Sequence, residues 1–93
     1  MTQLEKIDYT LLGIYEQNKK GGLLRIIEAF EANKQELTIE ELQKIKKILE
    51  KDGYAVFQTV PKGADYKGRI TPEGIVFVEN DSYSKSGTSI LKL

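Results

Sequence analysis

The side chains able to do chemistry in this chain are mostly cations gathered on two short stretches. Gln43, Lys44, Lys47 and Lys51 recur at spacings that share one side of a helix turning about 100° per residue. Lys62, Lys67 and Arg69 border a loop containing Pro61, Gly63 and Gly68, with Asp65 as the one opposing charge. Rows of ammonium and guanidinium groups bind phosphate oxygens. Lysine lacks the bidentate fork with which arginine reads guanine, so such a row suits a nucleic-acid backbone better than a base sequence. The same residues also suit plain structural roles. Acids at a helix start and bases toward its end match the macrodipole, and lysines on a hairpin keep it solvated and discourage edge pairing.

Other chemistries find little footing. The chain has no cysteine and no histidine, which removes disulfides, zinc–thiolate sites, thiol nucleophiles and the commonest general base. Glu40 and Glu41 are helix neighbours that diverge by about 100° and cannot act as a facing acid–base pair. Lys19-Lys20-Gly21-Gly22 follows no strand and lacks the Gly-x-x-x-x-Gly-Lys-Ser/Thr spacing of a phosphate loop. Neither enzymatic activity nor a cofactor is expected. Fourteen basic residues balance fourteen acidic ones, so any affinity for a polyanion must come from segregation of charge by face. No apolar run approaches the roughly 20 residues of a membrane span, and the N-terminus lacks the layout of a secretion signal. A cytoplasmic protein with no membrane partner is expected.

The elements that would position these cations can be read from caps and periodicity. Thr2-Gln3-Leu4-Glu5 forms a capping box, after which Leu4, Ile7, Leu11, Ile14 and Tyr15 fall on one helical stripe. Asn18 to Gly22 ends that helix. A second helix is expected from about Leu23 to Asn33. The third begins with the best-defined signal: Thr38 and Glu41 form a capping box while Leu37 and Leu42 form a hydrophobic staple. It runs to Gly53 and carries the first row of cations. Tyr54 to Val60 is apolar and β-prone, and Tyr66 to Thr71 pairs back on it. Thr71 then caps a short helix with Pro72 at its first position. The expected core contains Leu11, Ile27, Leu42, Ile45, Leu49, Val56 and Ile75. At 93 residues the chain has room for one domain, taken as 1–80, followed by a flexible tail over 81–93.

The run from Leu42 to Tyr54, followed by Arg69-Ile70-Thr71-Pro72-Glu73-Gly74, resembles the winged helix-turn-helix domains of small bacterial winged-helix proteins and transcription regulators. The second motif is similar to the "ITxxG" strand-to-helix signature that closes the wing in such domains. The resemblance implies an α+β fold: a three-helix core, a two-stranded wing and a short closing helix. It further implies duplex DNA as partner, contacted by helix 38–52 through Gln43, Lys44, Lys47 and Lys51 and by wing 61–69 through Lys62, Lys67 and Arg69. Winged helices also serve as protein–protein interaction modules without nucleic-acid binding, and overall neutrality with Glu40 and Glu41 at the recognition-helix start suits that alternative. Leu12 on the first helix and Tyr83, Ile90, Leu91 and Leu93 in the tail are apolar groups without an assigned cover. A homodimer through the first helix and the tail is therefore expected.

Overall fold

In the computed structural model, described for all residues except 62, 64 and 87–93, the chain folds as α+β around one core. Lys62, Ile90, Leu91 and Leu93 lie outside the described residues. The elements run α1 (Gln3–Lys19), β1 (Leu24–Arg25), α2 (Ile26–Ala32), α3 (Ile39–Lys51), β2 (Ala55–Thr59), β3 (Tyr66–Ile70), α4 (Pro72–Asn80) and α5 (Tyr83–Ser86). The three strands form an antiparallel sheet in the order β1-β3-β2.

Local chemistry fixes the helix starts. Thr2 with Glu5, and Thr38 with Glu41, each make the reciprocal pair of hydrogen bonds of a capping box. Thr71 accepts from the Gly74 amide at 3.0 Å, and Pro72 takes the first helical position. The stop of α3 depends on Gly53, whose φ of +78° is a conformation that a side chain would strain.

The core gathers Ile7, Leu11 and Ile14 from α1, Ile26 and Phe30 from α2, and Leu42, Ile45 and Leu49 from α3, with Ala55 from β2. Helix α1 lies directly on the central strand. A Cβ at Gly68 would stand 2.5 Å from the Ile14 Cδ1, so a hydrogen there is what lets the helix settle on the sheet. Asn18 ties the end of α1 to the same strand, accepting from the Ile70 amide at 2.7 Å.

Four expectations need correction. The second helix starts at Ile26, not near Leu23, because Leu24 and Arg25 pair with Gly68 and Lys67 as a third strand. The α2 start is set from a distance: Asp65, in the β2–β3 loop, accepts from the Ile27 amide at 2.9 Å and the Glu28 amide at 3.3 Å. Val56 is not in the core. It faces outward opposite Arg69 and is 52% exposed, while Ala55 and Phe57 take the inward positions. Ile75 is half-buried and outside the core cluster, and Ile27 packs only against the cluster's edge. The rotation of α4 explains Ile75. A Cβ at Gly74 would stand 2.0 Å from the Tyr54 carbonyl oxygen, so this close backbone approach turns Phe77 and Val78, in place of Ile75, toward the core.

The fourth correction concerns the tail. Tyr83 is fully buried and is the largest such side chain among the described residues, so packing continues past residue 80. Its ring lies 5.1 Å from that of Phe77 and 6.1 Å from that of Tyr54, which themselves stack at 4.4 Å. Its hydroxyl donates to the Asp52 carboxylate at 2.6 Å, and burial together with that bond holds its pKa well above the ordinary phenol value. Asp8 on α1 accepts from the Tyr83 and Ser84 amides at 2.7 and 2.9 Å, pinning the start of α5. Tyr83 is therefore occupied within its own chain, not available to a second copy. Leu12 remains 49% exposed.

Two substitutions test this arrangement by chemical denaturation. Tyr83→Ala should lower stability by about 3–5 kcal/mol, as for other large buried aromatics. A loss under about 0.5 kcal/mol would mean that the ring is a surface group. Gly74→Ala should lower stability by at least about 2 kcal/mol, since the obstruction is backbone and cannot rotate away.

Candidate nucleic-acid interface

The site is built on α3, whose two sides have different neighbours. Leu42, Ile45 and Leu49 are buried and set the helix phase. That phase leaves Gln43, Lys44, Lys47 and Lys51 exposed, with Glu40 on the same side. Lys44, Lys47 and Lys51 have no ion-pair partner among the described residues. They border a groove of about 380 Å³ between α1 and α3, where Ile7, Ile45 and Ile48 provide the apolar lining and Lys6 the opposite rim.

Glu41, one of the two acids that stood against phosphate binding, is turned to internal work. Its carboxylate accepts from Lys6 Nζ on α1 and from the Thr38 amide at 3.0 Å. The Lys6 hydrogen bond, followed by the Thr38 amide, lowers its pKa from the ordinary 4.5. Asp65 is likewise absorbed as the cap of α2 and also accepts from the Tyr66 amide at 2.7 Å. Glu40 alone among these acids stays exposed without an ion-pair partner among the described residues.

The other flank of α3 meets the hairpin. Gln43 Nε2 donates to the Tyr66 hydroxyl at 2.9 Å, so this side chain is partly committed to joining helix and strand. Lys46 sits over the Tyr66 ring at 5.3 Å from its centroid and pairs with Glu50 at 2.9 Å. Lys46 is thus a structural cation, distinct from the row of Lys44, Lys47 and Lys51 beside it.

The strand cations occupy a different surface. Side chains alternate along β3, so Tyr66, Gly68 and Ile70 face inward while Lys67 and Arg69 face the other way. Lys67 is half-buried and Arg69 exposed. Arg25 on β1 is the register partner of Lys67 and joins them on that outer face, paired loosely with Glu28 at 3.6 Å. Of the expected site residues, the fold brings Lys44, Lys47 and Lys51 together on the groove and sets Gln43 against the hairpin. It assigns Lys67 and Arg69 to the outer sheet face. Lys6 and Arg25 were missed in the sequence. Lys6 has no local signal, since its partner is 35 residues away, and Arg25 was hidden by the expected extension of α2.

Among the described residues no group of three or more metal-ligating side chains comes together, and no helix is long and apolar enough to cross a membrane. Comparisons with known families, curated proteins and solved structures found no match.

The Lys6–Glu41 contact predicts an acid-sensitive contribution to stability. A carboxylate with a depressed folded-state pKa stabilises the fold above its unfolded value, and the effect is lost as pH falls through the folded value. Glu41→Gln keeps the capping-box geometry but removes the charge. The variant should be less stable than the parent at neutral pH, and the gap should close as pH falls below 4.5. Denaturation midpoints across that range check it; a gap independent of pH would assign Glu41 no electrostatic role.

Proposed function

We propose that this chain is a small duplex-DNA-binding module with the winged helix-turn-helix arrangement, in which α3 is the recognition helix. The order α1-β1-α2-α3-β2-β3, with the third helix leading directly into an antiparallel hairpin, supports that arrangement. The observation that carries the function is the row Lys44, Lys47 and Lys51: three exposed ammonium groups on one face of α3, without ion-pair partners among the described residues. The engagement of Glu41 and Asp65 in internal contacts answers two of the local objections to a polyanion. Gln43, held by Tyr66, sets the spacing of helix and hairpin and retains its amide oxygen for a groove contact.

The contacts so offered are to phosphate. Affinity therefore depends on counterion release and varies little with base sequence. Lys67 and Arg69, with Arg25 beside them, form a second basic surface that lies along the backbone only if the duplex reaches the outer sheet face.

Binding to a labelled random duplex, titrated against salt, tests the proposal. Replacing Lys44, Lys47 and Lys51 together by alanine should weaken binding alike on all sequences and reduce the log–log salt slope by about 0.9 per lost phosphate contact. The pair Lys67→Ala and Arg69→Ala measures the share of the sheet face separately. Absence of binding by the parent protein at about 50 mM salt would end the DNA assignment.

A further inference from the structure

The groove between α1 and α3 has a composition that phosphate binding does not require. A backbone-gripping surface needs cations at the height of the phosphates, whereas this groove places them around an apolar lining of Ile7, Ile45 and Ile48. Ile7 and Ile45 are almost wholly buried, at 2% and 4% exposure, so they close the bottom of the groove. Ile48 remains half-buried along its side. The methylene stems of the bordering lysines extend this apolar surface and carry their charges outward to the rim.

The rim has a helical geometry of its own. Lys44, Lys47 and Lys51 stand at positions i, i+3 and i+7 of α3 and span about 10 Å along its axis. A second helix lying along α3 would bring carboxylates at the same spacings opposite them. Its apolar residues, at the intervening positions, would rest on Ile48 and the lysine stems. Helices of this kind bind by laying an apolar face into a groove and fixing direction with flanking charges. Across the groove, Lys6 is paired with Glu41 of α3, whose carboxylate also lines the groove, so these two opposite charges offset each other toward an acidic partner.

We infer that the α1/α3 groove is a docking site for an acidic amphipathic helix of a partner protein. Charge complementarity selects that occupant: the three rim cations without ion-pair partners among the described residues call for carboxylates, and the apolar lining calls for aliphatic side chains between them. The inference goes beyond the DNA assignment and does not depend on it.

The test uses the full chain and a fluorescein-labelled peptide of about 15 residues, near the length at which an isolated helix becomes marginally stable. Leucines on one helical face are flanked by glutamates. A second peptide of the same composition has its leucines dispersed around the helix. The first should bind saturably and at least about tenfold more tightly than the second. Lys44→Glu with Lys51→Glu should weaken it by about tenfold or more, and so should Ile48→Glu, with folding of each variant checked by circular dichroism. Lys67→Glu with Arg69→Glu should leave it unchanged. Equal binding of both peptides, or equal loss in both lysine-bearing pairs, would reduce the effect to general charge attraction and overturn the inference. Failure of the first peptide to bind would also overturn it, and a random duplex that still bound would then leave the surface to nucleic acid.

Discussion

The carbonyl group of Tyr54 is the point on which the relative placement of the elements turns. It accepts from the Thr71 amide at 3.0 Å, and it faces Gly74 so closely that no side chain fits between them. The Thr71 hydroxyl donates at the same junction to the Gly53 carbonyl at 2.5 Å and accepts from the Gly74 amide. The end of α3, the start of β2, the end of β3 and the start of α4 therefore meet within a few peptide groups. Backbone contacts cannot be relieved by changing a rotamer, so the rotation of α4 follows from this one approach. Phe77 is then turned onto Tyr54, and the pair of rings makes a surface for Tyr83. Asp8 and Asp52 complete the attachment by accepting from the backbone and phenol of the docked segment.

A second set of long-range contacts decides which charges a partner meets. Arg25 stands at the N-cap of α2 and offers no side-chain hydrogen bond there. The free amides are served from the hairpin loop by Asp65, which couples the loop's position to the start of α2. Glu41 does related work, bonding its own helix start and a lysine of α1 with one carboxylate. These acids still carry charge, but each lies against a donor that uses it. Formal neutrality of the chain is thus compatible with a locally cationic face on α3.

What could be read from the sequence follows the range of the interactions involved. The caps at Thr2, Thr38 and Thr71 are bonds between residues three apart, and each is visible as a local pattern. The stripes of α1 and α3 were legible for the same reason, because Ile7, Leu11 and Ile14, like Leu42, Ile45 and Leu49, repeat with the helical period. That phase correctly marked Gln43, Lys44, Lys47 and Lys51 as exposed. The run Ala55-Val56-Phe57 gave no phase, since all three residues are apolar and alternation cannot choose between its faces. Pairing with β3 chooses, by setting Val56 opposite Arg69. The remaining differences, at β1, Asp65, Lys6 and Tyr83, depend on hydrogen-bond partners 31 to 75 residues away along the chain or on a strand register. A strand of only two residues, Leu24 and Arg25, carries no strand signal until Gly68 and Lys67 are beside it.

That Lys44, Lys47 and Lys51 have no ion-pair partner among the described residues has an entropic consequence. The helix beneath them is held at both ends, by a reciprocal cap at Thr38 and by the glycine turn that leads to Tyr54. Their backbone is therefore placed before any ligand arrives, while their long side chains still sample many rotamers. Immobilising such a chain costs about 0.5–1.5 kcal/mol, and the row presents that cost three times over. A ligand that leaves the ammonium groups loosely solvated loses less than one that fixes each in a single geometry. By this cost alone, a partner recognised by the overall spacing of its negative charge would lose less on meeting this face than one that had to fix every lysine.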